Sequence, residues 1–212
     1  MYLNLTALIM FVFVAAFTPG PNNLLASYSG FNFGIKKSLP LIYGVTFGFP
    51  LLFIVVNFGL AIIFKEFPKL QDILKILGSV FLIYMAYKIA TTSKSENKEI
   101  KNPAKFFNML IFQFINPKAV IIAFIMVSTF ISQDENFLLD TIIVVSVAII
   151  LSFLSITSWC LLGKFISFGK NEKFLSTLPS ILSTPLRIFS GIFNYFMSIL
   201  LVLTVIMFWY KL

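Results

Sequence analysis

The sequence predicts an all-α integral membrane protein of six transmembrane helices, arranged as two inverted three-helix repeats with broken helices one and four. Three observations predict it. Of 212 residues, 59% are hydrophobic and only 11% charged, against about 25% charged in an ordinary soluble domain. The apolar residues form long runs, not the alternating ten-residue segments of an outer-membrane barrel. Two of those runs are interrupted by proline motifs, Thr18-Pro19-Gly20-Pro21-Asn22-Asn23 and Asn116-Pro117-Lys118, at comparable places in the two halves of the chain.

Each span follows from a ruler of about 20 apolar residues. The first runs from about Leu3 through its break to Phe33. It lacks a basic start and a small-residue cleavage site, so it reads as a retained span and not a signal peptide. The second is Leu39 to Phe64, with Pro40 and Pro50 inside it, and the third is Ile73 to Ala90. The fourth, Phe106 to Ile131, carries the second break; the fifth covers Phe137 to about Phe165. The sixth is Ile188 to Tyr210, where Trp209 and Tyr210 followed by Lys211 suit an interfacial anchor. The polar stretch 92–103 reads as a cytoplasmic linker. It divides one transmembrane domain, 1–212, into repeats 1–91 and 104–212. Three spans per repeat make the two halves antiparallel, the arrangement of many secondary transporters.

Charge sets the expected orientation. Lys36, Lys37, Lys88, Lys94, Lys98, Lys101, Lys105, Lys164, Lys170, Lys173 and Arg187 fall on one side, against Lys65, Lys69, Lys75 and Lys211 on the other. The loop between spans four and five has no basic residue and carries Asp134, Glu135 and Asp140. The positive-inside rule then puts both termini on the outer side. The net charge of +8 is read as this bias, with the lipid bilayer as partner and no nucleic acid.

One cysteine, Cys160, and no histidine exclude an intrachain disulfide and a Cys/His metal cluster. No His-Glu-x-x-His, nucleophile elbow or deep aspartate pair is present, so no enzyme, catalytic residue, metal or cofactor is expected.

The breaks carry the expected chemistry. Proline removes a backbone donor and glycine loosens the chain, and open backbone at membrane depth is tolerated where it lines a cavity or is buried in protein. A helix restarting near Asn22, after Pro21, would present the amides of Asn22, Asn23 and Leu24, which suit a carboxylate. Carbonyls of Ala16, Phe17 and Thr18 before the break would suit an ammonium. The alternative is a mere kink relieved by neighbouring helices. Lys118 is the only charged residue well inside a span. Two readings stay open for it: a contact to a substrate carboxylate or a gate, or else snorkelling or pairing with Gln113 and open carbonyls. Gly44 and Gly48 form a small-xxx-small pair for close helix contact, within one protomer or across a dimer. Ser27, Tyr28, Ser29 and Asn57 are polar candidates for a path, although hydroxyls also back-bond helix carbonyls. The phenylalanines are read as lipid-facing and bundle-filling.

Thr18-Pro19-Gly20-Pro21-Asn22 in span one resembles the LysE/RhtB family of bacterial amino-acid exporters. So do Gly44 and Gly48, Leu77-Gly78 leading into Leu82-Ile83-Tyr84, Phe114-Ile115-Asn116-Pro117-Lys118-Ala119, and Arg187 with Gly191. Asn22-Asn23, Tyr87-Lys88-Ile89-Ala90-Thr91, Gln113-Phe114-Ile115-Asn116 and Ser128-Thr129-Phe130 look most like the branch exporting cysteine and O-acetylserine. The resemblance implies a six-span inner-membrane exporter, driven by the proton gradient and acting as a homodimer. It implies that Thr18, Pro19, Gly20, Pro21, Asn22, Asn23, Asn116, Pro117 and Lys118 serve a small-molecule amino-acid substrate. Helix packing is assigned to Gly44, Gly48, Gly78 and Gly191.

The expected function is therefore export of a small neutral or polar amino acid. Two alternatives are a lysine or arginine exporter and a metal-ion permease. A basic side chain would want a deep carboxylate, and a metal would want histidine, cysteine or clustered carboxylates. Glu66, Asp72, Asp134, Glu135 and Asp140 all read as membrane-edge residues, so the sequence names no proton carrier.

Overall fold

The computed structural model describes residues 4–60, 68–92, 103–132 and 135–209. Among them every regular element is helical. α1 (Leu5–Phe17) opens on Asn4, whose side chain accepts the Ala7 N–H at 3.0 Å and so satisfies one exposed donor of the first turn. α2 (Pro21–Val55) follows and passes into a π-helical turn, Val56–Leu60. α3 (Pro68–Thr92), α4 (Phe106–Ile115) and α5 (Pro117–Phe130) come next. α6 (Phe137–Ser167) runs into a 3₁₀ turn, and the short α7 (Glu172–Leu175) leads to α8 (Ser180–Trp209).

Several expected boundaries move. Lys36 and Lys37, expected in a loop, lie within α2, because the interruption is one residue long. Gly34 takes φ 74° and ψ 171°, a left-handed φ open to glycine at no steric cost, and the helix resumes at once. α8 starts at Ser180, well before the expected Ile188, and accommodates Pro185 inside it. Most of the expected linker, 93–102, and the anchor residues Tyr210 and Lys211 lie outside the described residues.

Pro21–Gly59 and Phe137–Lys170 are long and apolar enough to cross a membrane. Two bent pairs, Phe106–Ile115 with Pro117–Phe130 and Ser180–Phe189 with Ile192–Ile206, bring that to four among the described residues. α1 is apolar but shorter, at 13 residues. Phenylalanines serve both surfaces: Phe107 and Phe58 are exposed, whereas Phe53, Phe112 and Phe193 are fully buried. An exterior of exposed Met10, Val80, Ile125 and Ile142 suits hydrocarbon.

The chain forms two compact units. The first comprises Met1–Thr18, Ile42–Gly78 and Lys105–Ile156. Its core joins Leu8 and Val12 of α1, Phe49, Leu52 and Phe53 of α2, Ala119, Ala123 and Met126 of α5, and Val144 and Ala148 of α6. Gly44 and Gly48 meet α4 inside this unit. A Cβ on Gly44 would stand 2.5 Å from the Phe106 carbonyl oxygen, and one on Gly48 would stand 2.8 Å from the Leu110 Cα. Neither position has room for a side chain unless α4 retreats. Gly78 and Gly191 lie on α3 and α8, with surroundings outside the described side chains.

The second unit comprises Pro19–Leu41, Ser79–Ala104 and Thr157–Leu212. Here the first arm of α2 crosses the end of α6 backbone on backbone. A Cβ on Gly30 would lie 1.9 Å from the Cys160 carbonyl oxygen, and one on Gly163 would lie 1.9 Å from that of Ser27. The Ser27 hydroxyl donates to the Trp159 carbonyl at 2.8 Å across the same crossing. Buried polar groups pair elsewhere in the unit: Ser29 with Ser38 at 2.7 Å, and Asn32 Nδ2 with Asn194 Oδ1 at 3.1 Å. The Ser198 hydroxyl donates to the Ala86 carbonyl at 2.8 Å. In hydrocarbon each bond of this kind contributes about 0.6 kcal/mol on average. Arg187 pairs with Glu172 at 3.1 Å, with both side chains largely exposed.

Candidate functional site

The first break is made by its prolines. In a continuous helix the Ala15 and Phe17 carbonyls would accept from the N–H groups of residues 19 and 21, but both positions are proline. α1 therefore stops at Phe17. Thr18 leaves the helix at φ −64° and ψ 144°, while its N–H still donates to Val14 O at 3.1 Å. Two carbonyls at the end of α1 find side-chain donors. Ala15 O takes the Thr18 hydroxyl at 3.2 Å, and Ala16 O takes the Ser155 hydroxyl of α6 at 2.8 Å.

The Thr18 carbonyl takes the ammonium of Lys118. Nζ donates to Thr18 O at 3.0 Å and to Thr18 Oγ1 at 2.9 Å. Both partners belong to the first unit, 100 residues apart in sequence. The site is electrostatically apt, because the C-terminal end of a helix carries partial negative charge and attracts a cation. Of the alternatives open for Lys118, this geometry is pairing with an open carbonyl, and the carbonyl comes from the other break. Gln113, fully buried, donates to its own turn at Met109 O, 2.8 Å away.

The second break is shorter. Asn116 alone is non-helical, at φ −81° and ψ 105°, and it serves as C-cap of α4 and N-cap of α5 at once. Its N–H donates to Phe112 O at 2.9 Å, its carbonyl accepts from Val120 N at 3.1 Å, and its Oδ1 accepts the Lys118 N–H at 3.2 Å. Pro117 occupies the first helical position, where its missing donor costs little. The two halves bend by 66°. Asn116 is 2% exposed, so this cap is an interior one.

Thr18, Asn116 and Lys118 are thus brought together in the first unit. Pro19, Gly20, Pro21, Asn22 and Asn23 belong to the second. There α2 begins at Pro21, Gly20 O accepts from Leu24 N at 2.9 Å, and Asn23 is buried while Asn22 is half-buried. Of the polar path candidates, Asn57 Nδ2 donates to Thr141 Oγ1 at 2.9 Å, and Ser27 and Ser29 make the helix contacts described above.

Sequence reasoning missed four features. Gly30 and Gly163 were not singled out, although Ala26-x-x-x-Gly30 has the small-xxx-small spacing that would have found one of them. Ser155, which satisfies Ala16, had no signal. Neither had the Asn32–Asn194 pair, whose members lie 162 residues apart. Asp140, placed at a membrane edge, is 4% exposed; its Oδ2 accepts from the Ser132 N–H and hydroxyl in the first turn of α6. Among the described residues no three His, Cys, Asp or Glu side chains gather to hold a metal ion.

No solved structure matches this chain. It is similar to proteins named cysteine/O-acetylserine efflux protein. Those of Escherichia coli strain K12 and Shigella sonnei strain Ss046 are each 30% identical over 130 residues, or 60% of this chain. The match spans 65% of each relative's length, slightly under two thirds. The LysE type translocator family model matches residues 13–211, which includes both breaks and nearly the whole chain. The chain belongs to the LysE type translocator family.

Proposed function

We propose that this protein is a secondary transporter that exports a small neutral or polar amino acid across the inner membrane in exchange for protons. Cysteine and O-acetylserine, named for its relatives, are the first candidates. The reading takes the chain as six spans in two inverted repeats with both termini outside; the homodimer rests on the family resemblance alone. One observation carries the substrate class: the Thr18 carbonyl and hydroxyl at the end of α1 already hold an ammonium, that of Lys118. An amino-acid carrier needs such an acceptor within the membrane, and a helix C-terminus supplies it without a buried carboxylate. The substrate carboxylate is assigned to Asn22 and Asn23 at the start of α2, where a helix N-terminus favours an anion. Pro19, Gly20 and Pro21 keep the first break open, and Asn116 and Pro117 keep the second.

The test is a panel of amino acids in cells overproducing the protein. Tolerance to the exported species and its extracellular level are expected to rise together. Efflux of no amino acid at all would sink the proposal. Efflux of lysine or arginine alone would replace it with the basic amino-acid reading.

A further inference from the structure

The proposed exporter lacks an obvious proton carrier, and the contact between the two breaks supplies one. We propose that Lys118 is the coupling group, whose amine carries the exchanged proton; this rests on the exporter reading above. Its ammonium is bound as a monovalent metal cation would be, by a backbone carbonyl and a threonine hydroxyl at the end of a discontinuous helix. That ligand set holds a charged amine. A neutral amine is the stable form once the acceptor is taken, because a charged amine deprived of those ligands is costly within a membrane.

The substrate's ammonium and the Lys118 ammonium then compete for one acceptor. When the substrate's ammonium takes Thr18 O and Oγ1 from the inner side, Lys118 is displaced and Nζ gives up a proton to the inner water. The loaded carrier crosses with Lys118 neutral. After the amino acid leaves outward, Nζ takes a proton from the outer water, returns to Thr18, and the empty carrier goes back. One zwitterion leaves for each proton that enters, and no bond other than N–H is made or broken.

Among the described side chains of the first unit, competing titratable groups are few. α1 and α4 have none, the rest of α5 has none, and the part of α2 from Ile42 brings only Tyr43. The part of α6 up to Ile156 brings only Asp140, which is engaged with Ser132. Glu135, Lys69 and Lys105 are exposed.

The experiment uses the purified full chain in lipid vesicles, with membrane potential clamped at zero and the exported amino acid as radiolabelled probe. For one-to-one exchange, an acid-inside gradient of one pH unit should drive about tenfold accumulation. Lys118→Arg keeps a cation that does not deprotonate, and Lys118→Met removes the proton. In both, gradient-driven accumulation should fall to the level seen with no gradient, relative to counterflow of labelled for unlabelled substrate. Wild-type coupling in either variant would overturn the proposal. Should both variants fail to accumulate in membranes, Thr18→Val decides. Losing the hydroxyl weakens the hold on the ammonium, so the pH profile of uptake should move about one unit to lower pH. An unmoved profile would overturn the proposal. Absence of any amino-acid counterflow by the wild type would instead sink the exporter reading itself.

Discussion

The two helix breaks solve the same problem by different means. At Asn116 one residue caps both half-helices, with its backbone N–H, backbone carbonyl and side chain each engaged locally. At Thr18 the interruption extends through Pro19 and Gly20, and its carbonyls rely on groups far away in sequence, Ser155 on Ala16 and Lys118 on Thr18. The second break is therefore self-sufficient, whereas the first depends on tertiary partners. It is also the point where the chain passes from one compact unit to the other, while the second lies wholly within one. A break that borrows its hydrogen bonds can exchange them for a ligand's, which is why substrate chemistry is assigned to Thr18 and a supporting role to Asn116.

The largest expected effect tests what anchors the chain after each break. The first arm of α2 is held by the Gly30 crossing, where the obstructing atom is backbone and cannot swing away. Gly30→Ala should destabilise the protein by about 3 kcal/mol, the upper end of overpacking, visible as a lowered melting temperature in detergent. A melting temperature equal to wild type would mean the crossing is looser than described. Next, Gly20→Val puts a bulky β-branched residue at a buried position ahead of Pro21 and stiffens the break. Transport should fall below a tenth of wild type while the protein still inserts at normal levels, read by vesicle uptake beside membrane-fraction immunoblots. Transport at the wild-type rate would reduce this break to a structural kink. The smallest effect belongs to the self-sufficient break. Asn116→Ala should cost about 1 kcal/mol of stability, and Asn116→Ser should recover most of it, as capping side chains do. Equal melting for alanine and serine would show that Asn116 does not act as a cap.

Much of this was legible in the chain. The breaks were legible from the dense Pro19-Gly20-Pro21 and Asn116-Pro117 motifs, which remove donors and loosen the chain together. The isolated Pro40, Pro50 and Pro185, by contrast, lie inside helices. Gly44 and Gly48 were readable from spacing, and their contact with α4 involves residues only about sixty positions onward. The family was readable from motifs, since residues 13–211 match it as a whole. Other features were hidden for a physical reason. Gly34 carries no signal that distinguishes a one-residue kink from a loop, so Lys36 and Lys37 were expected in a loop and lie in a helix. Asp140 resembles any acidic residue in a first helical turn until Ser132 folds over it.

The sequence by itself determined the helical class, the position of both breaks and the family, because each depends on composition or on local backbone chemistry. Only the tertiary structure decided who satisfies the opened carbonyls. Lys118 had several partners within its reach on paper, among them Gln113 and the water at an interface. The folded first unit brings it to Thr18, because the C-terminal end of α1 offers an ammonium a backbone carbonyl, a hydroxyl and a favourable field.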